Sequence, residues 1–140
     1  MSSLLKMSEA CSLALHAMVF MAANPAKTYS THDIADKLQA SEAHLSKVMQ
    51  RLVKAELIKS ERGPKGGFTL AASPHTITLM AIFEVIEGPL ANGHCLAGHP
   101  VCGRMKCIMG DILDNVNHEL RKYLTETSLA MLKEDCGLKE

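Results

Sequence analysis

The sequence has no tryptophan, and aromatic residues make up only 4% of its 140 residues. Its hydrophobic share is nevertheless 47%, so we expect a core of aliphatic side chains and methionine. No apolar run reaches the ~18 residues that a membrane-spanning helix needs, and no signal peptide is recognisable near the N-terminus. These absences predict a cytoplasmic protein with one domain of ordinary size.

Recognisable catalytic patterns are also missing. We find no paired carboxylates, no nucleophile with a neighbouring base and no phosphate-binding loop, so an enzyme is not expected. The net charge is zero, which by itself indicates no polyanionic partner. The distribution is uneven, however: residues 1–72 carry nine basic and six acidic side chains, and residues 73–140 carry six basic and nine acidic ones. This asymmetry fits a nucleic-acid-binding face in the N-terminal half.

The five cysteines lack the Cys-x2-Cys spacing typical of zinc knuckles and small ferredoxins. An odd number in a reducing compartment argues against a disulfide framework. Cys95, Cys102 and Cys107 all fall within residues 94–107, where two glycines and a proline interrupt regular structure. Three thiols on such a loop suit a metal or cluster site. A surface loop whose thiols are close by chance is the alternative.

Apolar residues at three- and four-residue spacing predict a first helix over residues 8–23. Ser30 and Ser41 are predicted to cap two further helices that are joined by the turn at residues 39–41. The second of these has a buried stripe, and its opposite face is rich in basic and polar side chains. That face consists of His44, Lys47, Gln50, Arg51 and Lys54. The pattern predicts a helix-turn-helix, although a core helix with a solvated charged face is the alternative.

Residues 57–62 and 68–71 are predicted to be strands, joined by a glycine-rich turn at residues 63–67. A hairpin directly after a helix-turn-helix predicts a winged helix. Its tip carries basic side chains that can reach phosphates or the minor groove. Residues 41–67 contain six basic and three acidic side chains, so the basic excess of the N-terminal half is concentrated here.

Thr78 is predicted to cap a helix that ends at Gly88, and apolar spacing then predicts a long helix over about residues 107–133. Such a helix would span about 40 Å, too far for this domain to cover its apolar stripe. We therefore expect a homodimer through this helix, with a monomer whose helix lies along its own domain as the alternative.

The expected fold class is mainly α with a small β-hairpin wing: a winged helix-turn-helix plus a long C-terminal dimerisation helix. The expected organisation is a winged-helix DNA-binding domain over residues 1–87 and a cysteine loop over residues 88–107. A dimerisation helix over residues 108–134 and a tail over residues 135–140 follow.

These residues together resemble the Rrf2 family of winged-helix transcription regulators, which includes IscR-like and NsrR-like members. The resemblance covers about residues 7–133. Its most specific part is SEAHLSKVMQRLVKAELIKSERGPKGGFTLA, residues 41–71, followed by ITLMAIFEVIEG, residues 77–88, which leads into the cysteine loop. The family resemblance implies a homodimer on double-stranded DNA at a palindromic operator. In many members three loop cysteines hold an iron–sulfur cluster, [2Fe-2S] or [4Fe-4S].

Carried over by position, Cys95, Cys102 and Cys107 match the three cluster cysteines, with gaps of six and four residues where the family usually has about five and five. The fourth ligand is the point of departure from the family pattern. The candidates, in order, are His16 or Cys11 from the partner chain, then His99 or His94 in the loop, then a small exogenous ligand.

The predicted function is a DNA-binding transcriptional regulator, a repressor, whose operator affinity is switched by a cluster that senses redox, nitric oxide or iron status. The predicted DNA contacts are Ser41, His44, Lys47, Gln50 and Arg51 in the recognition helix, and Arg62, Pro64 and Lys65 in the wing. One alternative is a regulator with a thiol–disulfide or zinc switch and no iron. Another is a metal-handling interaction protein without DNA function.

Overall fold

The computed structural model describes residues 7–90, 102 and 107–133. Within these ranges the chain is mainly helical and has one two-stranded antiparallel sheet. The elements are α1 (Glu9–Ala22), α2 (Thr31–Leu38), α3 (Glu42–Lys54), β1 (Ile58–Glu61), β2 (Gly67–Leu70), α4 (Leu79–Glu87), α5 (Ile112–Glu126) and α6 (Leu129–Leu132). This architecture confirms the predicted fold class.

The predicted N-caps are confirmed, because each is a local interaction between a hydroxyl and an amide three residues on. The Ser30 hydroxyl accepts from the Asp33 amide, and the Asp33 carboxylate accepts from the Ser30 amide, which completes a capping box. Ser41 caps α3 through the His44 amide at 3.3 Å. Thr78 caps α4 through the Ala81 amide at 3.2 Å.

The core is aliphatic, as the composition predicts. The predicted stripe of α3, which consists of Leu45, Val48, Met49 and Leu52, is buried. It packs against α1 together with the apolar face of α4. The largest side chains with almost no exposed surface are Met18, Met21, Ile34, Leu45, Met49, Leu52, Ile58, Ile82 and Leu129. Burial of a side chain of this size stabilises the fold by about 1.5–3 kcal/mol, so this stripe fixes where the outer face of α3 points.

The wing pairs β1 with β2 in the register Ile58 to Leu70 and Glu61 to Gly67. Tyr29 forms an isolated antiparallel β-bridge with Phe68, which the sequence did not indicate. The Tyr29 amide donates to the Phe68 carbonyl at 3.0 Å, and the Phe68 amide donates to the Tyr29 carbonyl at 2.7 Å. Gly67 is required at this point because a Cβ atom there would overlap the Tyr29 carbonyl. The wing is therefore anchored to the segment that precedes α2.

The long C-terminal helix is present, but its predicted extent is wrong. α5 ends at Glu126 and is about 22 Å long. The chain then turns back, because the Leu79 amide donates to the Thr127 carbonyl and the Leu129 amide donates to the Ile77 carbonyl. Leu129 is thereby completely buried at the start of α6. Within the described part of the chain, no helix is both long and apolar enough to cross a membrane.

Candidate nucleic-acid interface and cysteine site

The outer face of α3 is presented to solvent by the burial of its opposite stripe. Lys47, Gln50 and Lys54 are exposed along this face. Ser41 is also exposed, although its hydroxyl is already used as the N-cap. Of the predicted recognition-helix contacts, Lys47 and Gln50 are therefore the ones whose side chains stand on the open face without a described structural role.

The N-terminus of α3 carries a group of imidazoles and carboxylates that we did not predict as a unit. The Nδ1 atom of His32 lies 2.5 Å from Oε1 of Glu42, the first residue of α3. This hydrogen bond, together with the carboxylate charge, raises the pKa of His32. The Nδ1 atom of His44 lies 4.0 Å from Oε1 of Glu9, and the His44 side chain is 38% exposed. The sequence signal that could have revealed this group is Glu42, a single acidic residue at the start of an otherwise basic helix.

Arg51 is exposed, but its guanidinium is directed at the domain itself. Its Nη2 atom donates to the carbonyl of Ile86 at 2.8 Å and to that of Val85 at 3.1 Å. These carbonyls lie in the last turn of α4, where carbonyl groups lack helical partners. A cation is favourable at that end of a helix. The structure thus gives Arg51 an intramolecular position, while its predicted DNA contact stays a prediction.

The wing tip projects three of the predicted contact residues into solvent: Arg62, Pro64 and Lys65 are all exposed. Gly63 adopts a φ of +112°, a backbone conformation that strongly favours glycine. The amide of Gly66 donates to the Gly63 carbonyl at 2.9 Å and closes the turn. The geometry places two cations at the tip of a short, closed hairpin.

Cys11, a candidate fourth ligand, is completely buried in the core on α1. Burial raises the pKa of its thiol to about 11, and the nearby Glu87 carboxylate contributes to the increase. Because metals bind the thiolate, both the burial and the protonated state of Cys11 disfavour it as a ligand donated to another chain. Its role as a ligand stays a prediction.

His16, the other candidate on α1, is exposed. Its Nδ1 atom lies 2.7 Å from the carbonyl oxygen of Ser12. Since a carbonyl only accepts, Nδ1 carries the proton in that hydrogen bond, and the neutral ring then has its lone pair on Nε2. This is the arrangement by which proteins orient histidine ligands.

The cysteine loop is described only in part. Cys102 and Cys107 are half-buried free thiols. Cys95, His94 and His99 lie outside the described residues, and the predicted grouping of three thiols stays a prediction. Residues 7–90, 102 and 107–133 contain no convergent group of three or more histidine, cysteine, aspartate or glutamate side chains able to hold a metal ion.

Cys107 itself is held in a defined turn just before α5. Its carbonyl accepts from the Gly110 amide at 2.8 Å, and its sulfur accepts from the Met109 amide at 3.4 Å. Amide hydrogen bonds to cysteine sulfur are among the interactions that tune iron–sulfur sites.

Most of the predicted apolar stripe at the C-terminal end of the chain is exposed, although Leu120 is half-buried against the core. The exposed fraction is 84% for Ile108, 49% for Ile112, 41% for Val116 and 54% for Tyr123. Along α5, the apolar lining of one shallow groove consists of Ile112, Val116, Tyr123 and the half-buried Leu120. Large apolar side chains aligned on one helix face mark an interaction surface.

Comparison with known proteins is consistent with this geometry. The family model described as "Rrf2: Iron-dependent Transcriptional regulator" matches residues 7–135. The regulator BadM of Rhodopseudomonas palustris is 47% identical over 73 residues, a match that spans about half the length of each protein. NsrR of Geobacillus kaustophilus is 32% identical over 130 residues, which cover 87% of this chain and 85% of that protein.

Two solved structures extend the similarity across the fold. CymR of B. subtilis, described as the global cysteine regulator, superposes with a TM-score of 0.79 at 26% identity, covering 94% of this chain and 98% of CymR. IscR of T. potens superposes with a TM-score of 0.73 at 27% identity, covering 94% and 88%. The matched proteins are transcription regulators and not enzymes.

Proposed function

We propose that this protein, which belongs to the Rrf2 family of DNA-binding transcriptional regulators, acts as a homodimeric repressor. Its cysteine loop sets its affinity for the operator. The observation that carries the DNA-binding part is the outward basic face of α3 beside the exposed cations of the wing tip. The two surfaces belong to one rigid unit because the buried stripe of α3 and the Tyr29–Phe68 bridge fix them to the same core.

In this proposal α3 enters the major groove. Lys47 and Gln50 are the side chains available to read base edges, since a lysine suits guanine acceptors and a glutamine amide suits adenine. The wing cations, Arg62 and Lys65, contact phosphates or the minor groove. Ser41 and His44, at the N-terminal end of α3, contribute backbone contacts that set the register. Recognition of this kind in a symmetric dimer implies a palindromic operator.

The exposed face of α5 supports the dimer. Ile112, Val116 and Tyr123 align on the helix side that the domain leaves open. A second copy of the same helix offers a self-complementary apolar surface, which is what a two-fold interface requires. We propose that α5 pairs with its counterpart and thereby sets the distance between the two α3 helices.

For the cysteine loop we propose an iron–sulfur cluster held by Cys95, Cys102 and Cys107, with His16 of the partner copy as the fourth ligand. Thiolates are soft ligands that suit iron, and Cys107 already accepts an amide hydrogen bond at its sulfur. The tautomer set by the Ser12 carbonyl leaves Nε2 of His16 able to bind. A cluster with one non-cysteine ligand would supply sensitivity to oxygen, nitric oxide or iron supply.

The relatives favour a second candidate as well. CymR is described as a cysteine regulator, and Cys102 and Cys107 are free thiols in this structure. A thiol–disulfide switch, or a zinc site on the same loop, would use the same residues without iron. A metal-handling role without DNA function is a third candidate, and the basic surfaces argue against it.

The test begins with protein purified without oxygen, wild type beside Cys102→Ala. We expect visible absorbance with stoichiometric iron and sulfide in the wild type and its loss in the variant. Salt-dependent binding to DNA from the protein's own promoter region is measured on the same samples. A colourless, iron-free wild type that still binds DNA would replace the cluster with the thiol or zinc switch. Absence of salt-dependent DNA binding would refute the regulator.

A further inference from the structure

The last turn of α4 and the first residues of the cysteine loop form a polar junction that the proposed DNA contacts do not use. We call residues 85–90 the exit segment, because they comprise this last turn and the first three residues of the loop. Gly88 turns the chain there with a φ of +80°. Hydrogen bonds from α3, from α5 and from the N-cap residue of α1 converge on this short stretch.

The first connection comes from the recognition helix. Nη2 of Arg51 donates to the carbonyls of both Val85 and Ile86, at 3.1 and 2.8 Å. Arg51 lies one helical turn beyond Lys47 on α3, so a movement of these carbonyls acts directly on the helix that reads DNA. Hydrogen bonds from a charged donor are about twice as strong as neutral ones.

The second connection comes from α1. The Ser8 amide donates to Oε1 of Glu87 at 2.9 Å, and the Ser8 hydroxyl donates to the same oxygen. These hydrogen bonds lower the pKa of Glu87, and the nearby Arg51 charge lowers it further. The same Ser8 hydroxyl caps α1 by accepting from the Cys11 amide at 3.1 Å. Glu87 therefore holds the N-terminus of the helix that carries His16.

The third connection comes from α5. Nη2 of Arg121 donates to the carbonyl of Leu90 at 2.7 Å. Leu90 is the third residue of the cysteine loop, and α5 begins five residues after Cys107, the last residue of that loop. The exit segment is thus bonded to the recognition helix, to α1 and to the helix that bears the exposed apolar face.

We propose that Arg51 is a positioning residue for DNA recognition: through the exit segment it transmits the state of the cysteine loop to α3. This inference rests on the proposed function. A change at the loop displaces the carbonyls of residues 85–90, and Arg51 moves α3 with them. A phosphate contact by Arg51 would instead add affinity equally in every state of the loop.

The experiment compares operator affinity for the wild-type loop and for a Cys102→Ser/Cys107→Ser loop variant, both incubated anaerobically with ferrous iron and sulfide. The ratio of the two affinities measures the coupling, which for a working switch is a factor of about 5–150. The same ratio is then measured in an Arg51→Met background, which keeps the apolar stem and removes the donors. Lys54→Met, one turn nearer the end of α3, removes an equal charge as the matched control.

We expect Arg51→Met to bring the ratio to about one and to leave the dependence of affinity on salt unchanged. Lys54→Met should keep the ratio. Glu87→Ala, at an exposed position, is a second variant that should also reduce the ratio, and circular dichroism verifies that each variant is folded. Hydrogen exchange of the α3 amides gives a readout without DNA: the loop variant should alter it in the wild-type background and not with Arg51→Met.

Each other outcome refutes a different claim. An unchanged ratio in Arg51→Met, with a smaller salt dependence, would make Arg51 a phosphate contact and overturn the positioning role. If the loop variant still alters hydrogen exchange of the α3 amides in the Arg51→Met background, the positioning role is overturned as well. A ratio of one with Arg51 intact would show that an iron-loaded loop does not control DNA binding, so the proposed cluster switch would fail and the positioning role with it.

Discussion

The wing offers the sharpest quantitative test of the proposed DNA interface. Arg62 is exposed at the tip of a closed hairpin, so Arg62→Ala should change the free energy of unfolding by no more than about 0.5 kcal/mol. If each copy contacts one phosphate through Arg62, the plot of log affinity against log salt should lose about 0.9 of slope per copy, or about 1.8 per dimer. Between 50 and 200 mM salt, the variant's affinity should then fall about tenfold less than that of the wild type.

The assay is fluorescence anisotropy with DNA from the protein's own promoter region, at several salt concentrations. Lys59→Ala is the matched control, because Lys59 is an exposed cation on β1, away from the tip. It should keep the wild-type slope if the hairpin binds through its tip. An unchanged slope in Arg62→Ala would refute the phosphate contact, and equal losses in both variants would show a diffuse charge effect in place of a tip contact.

Four further predictions concern the dimer, the fold and two titrating groups. Val116→Glu places a charge on the exposed apolar face of α5 and should yield monomers in analytical ultracentrifugation with weakened DNA binding, whereas Thr125→Glu on the opposite face should leave the dimer intact. Leu129→Ala should lower the free energy of unfolding by about 2–5 kcal/mol in urea titrations, because Leu129 is completely buried; a negligible loss would contradict the turn after α5. Cys11, buried and with a pKa of about 11, should resist alkylation at pH 8 in the folded protein and react in denaturant, as followed by mass spectrometry. The contact with Glu42 raises the pKa of His32, so its contribution to stability is complete below about pH 6.5 and is lost as the pH rises through the raised pKa. His32→Gln should therefore flatten the fall in melting temperature across that pH window. If the variant and the wild type show the same pH profile, the His32–Glu42 pair is not the cause of that fall.

The helix-turn-helix is an example of what local sequence signals predict well. The Ser30 and Ser41 caps each depend on a hydroxyl and an amide three residues apart, and the buried stripe of α3 follows from helical periodicity alone. Such interactions lie within a few residues of one another, so no knowledge of the rest of the chain is needed. The exposed stripe of α5 was predictable for the same reason.

The extent of the C-terminal helix was not predictable in this way. Apolar spacing continues through Met131, but the hydrogen bonds of Thr127 and Leu129 to the chain near Thr78 end the helix at Glu126. That pairing joins residues about fifty positions apart, and its signal is absent from any local window. The link from Tyr29 to Phe68 in the wing has the same long-range origin.

The sequence by itself determined the fold class, the caps, the outward basic face of α3 and the identity of the candidate ligands, because periodicity, capping and residue chemistry are local properties. Only the tertiary structure decided that Arg51 is bonded to the end of α4 and that Cys11 is sealed in the core. Both facts depend on which helices pack together. A side chain's type limits what it can bind, but its neighbours in space decide what it does bind.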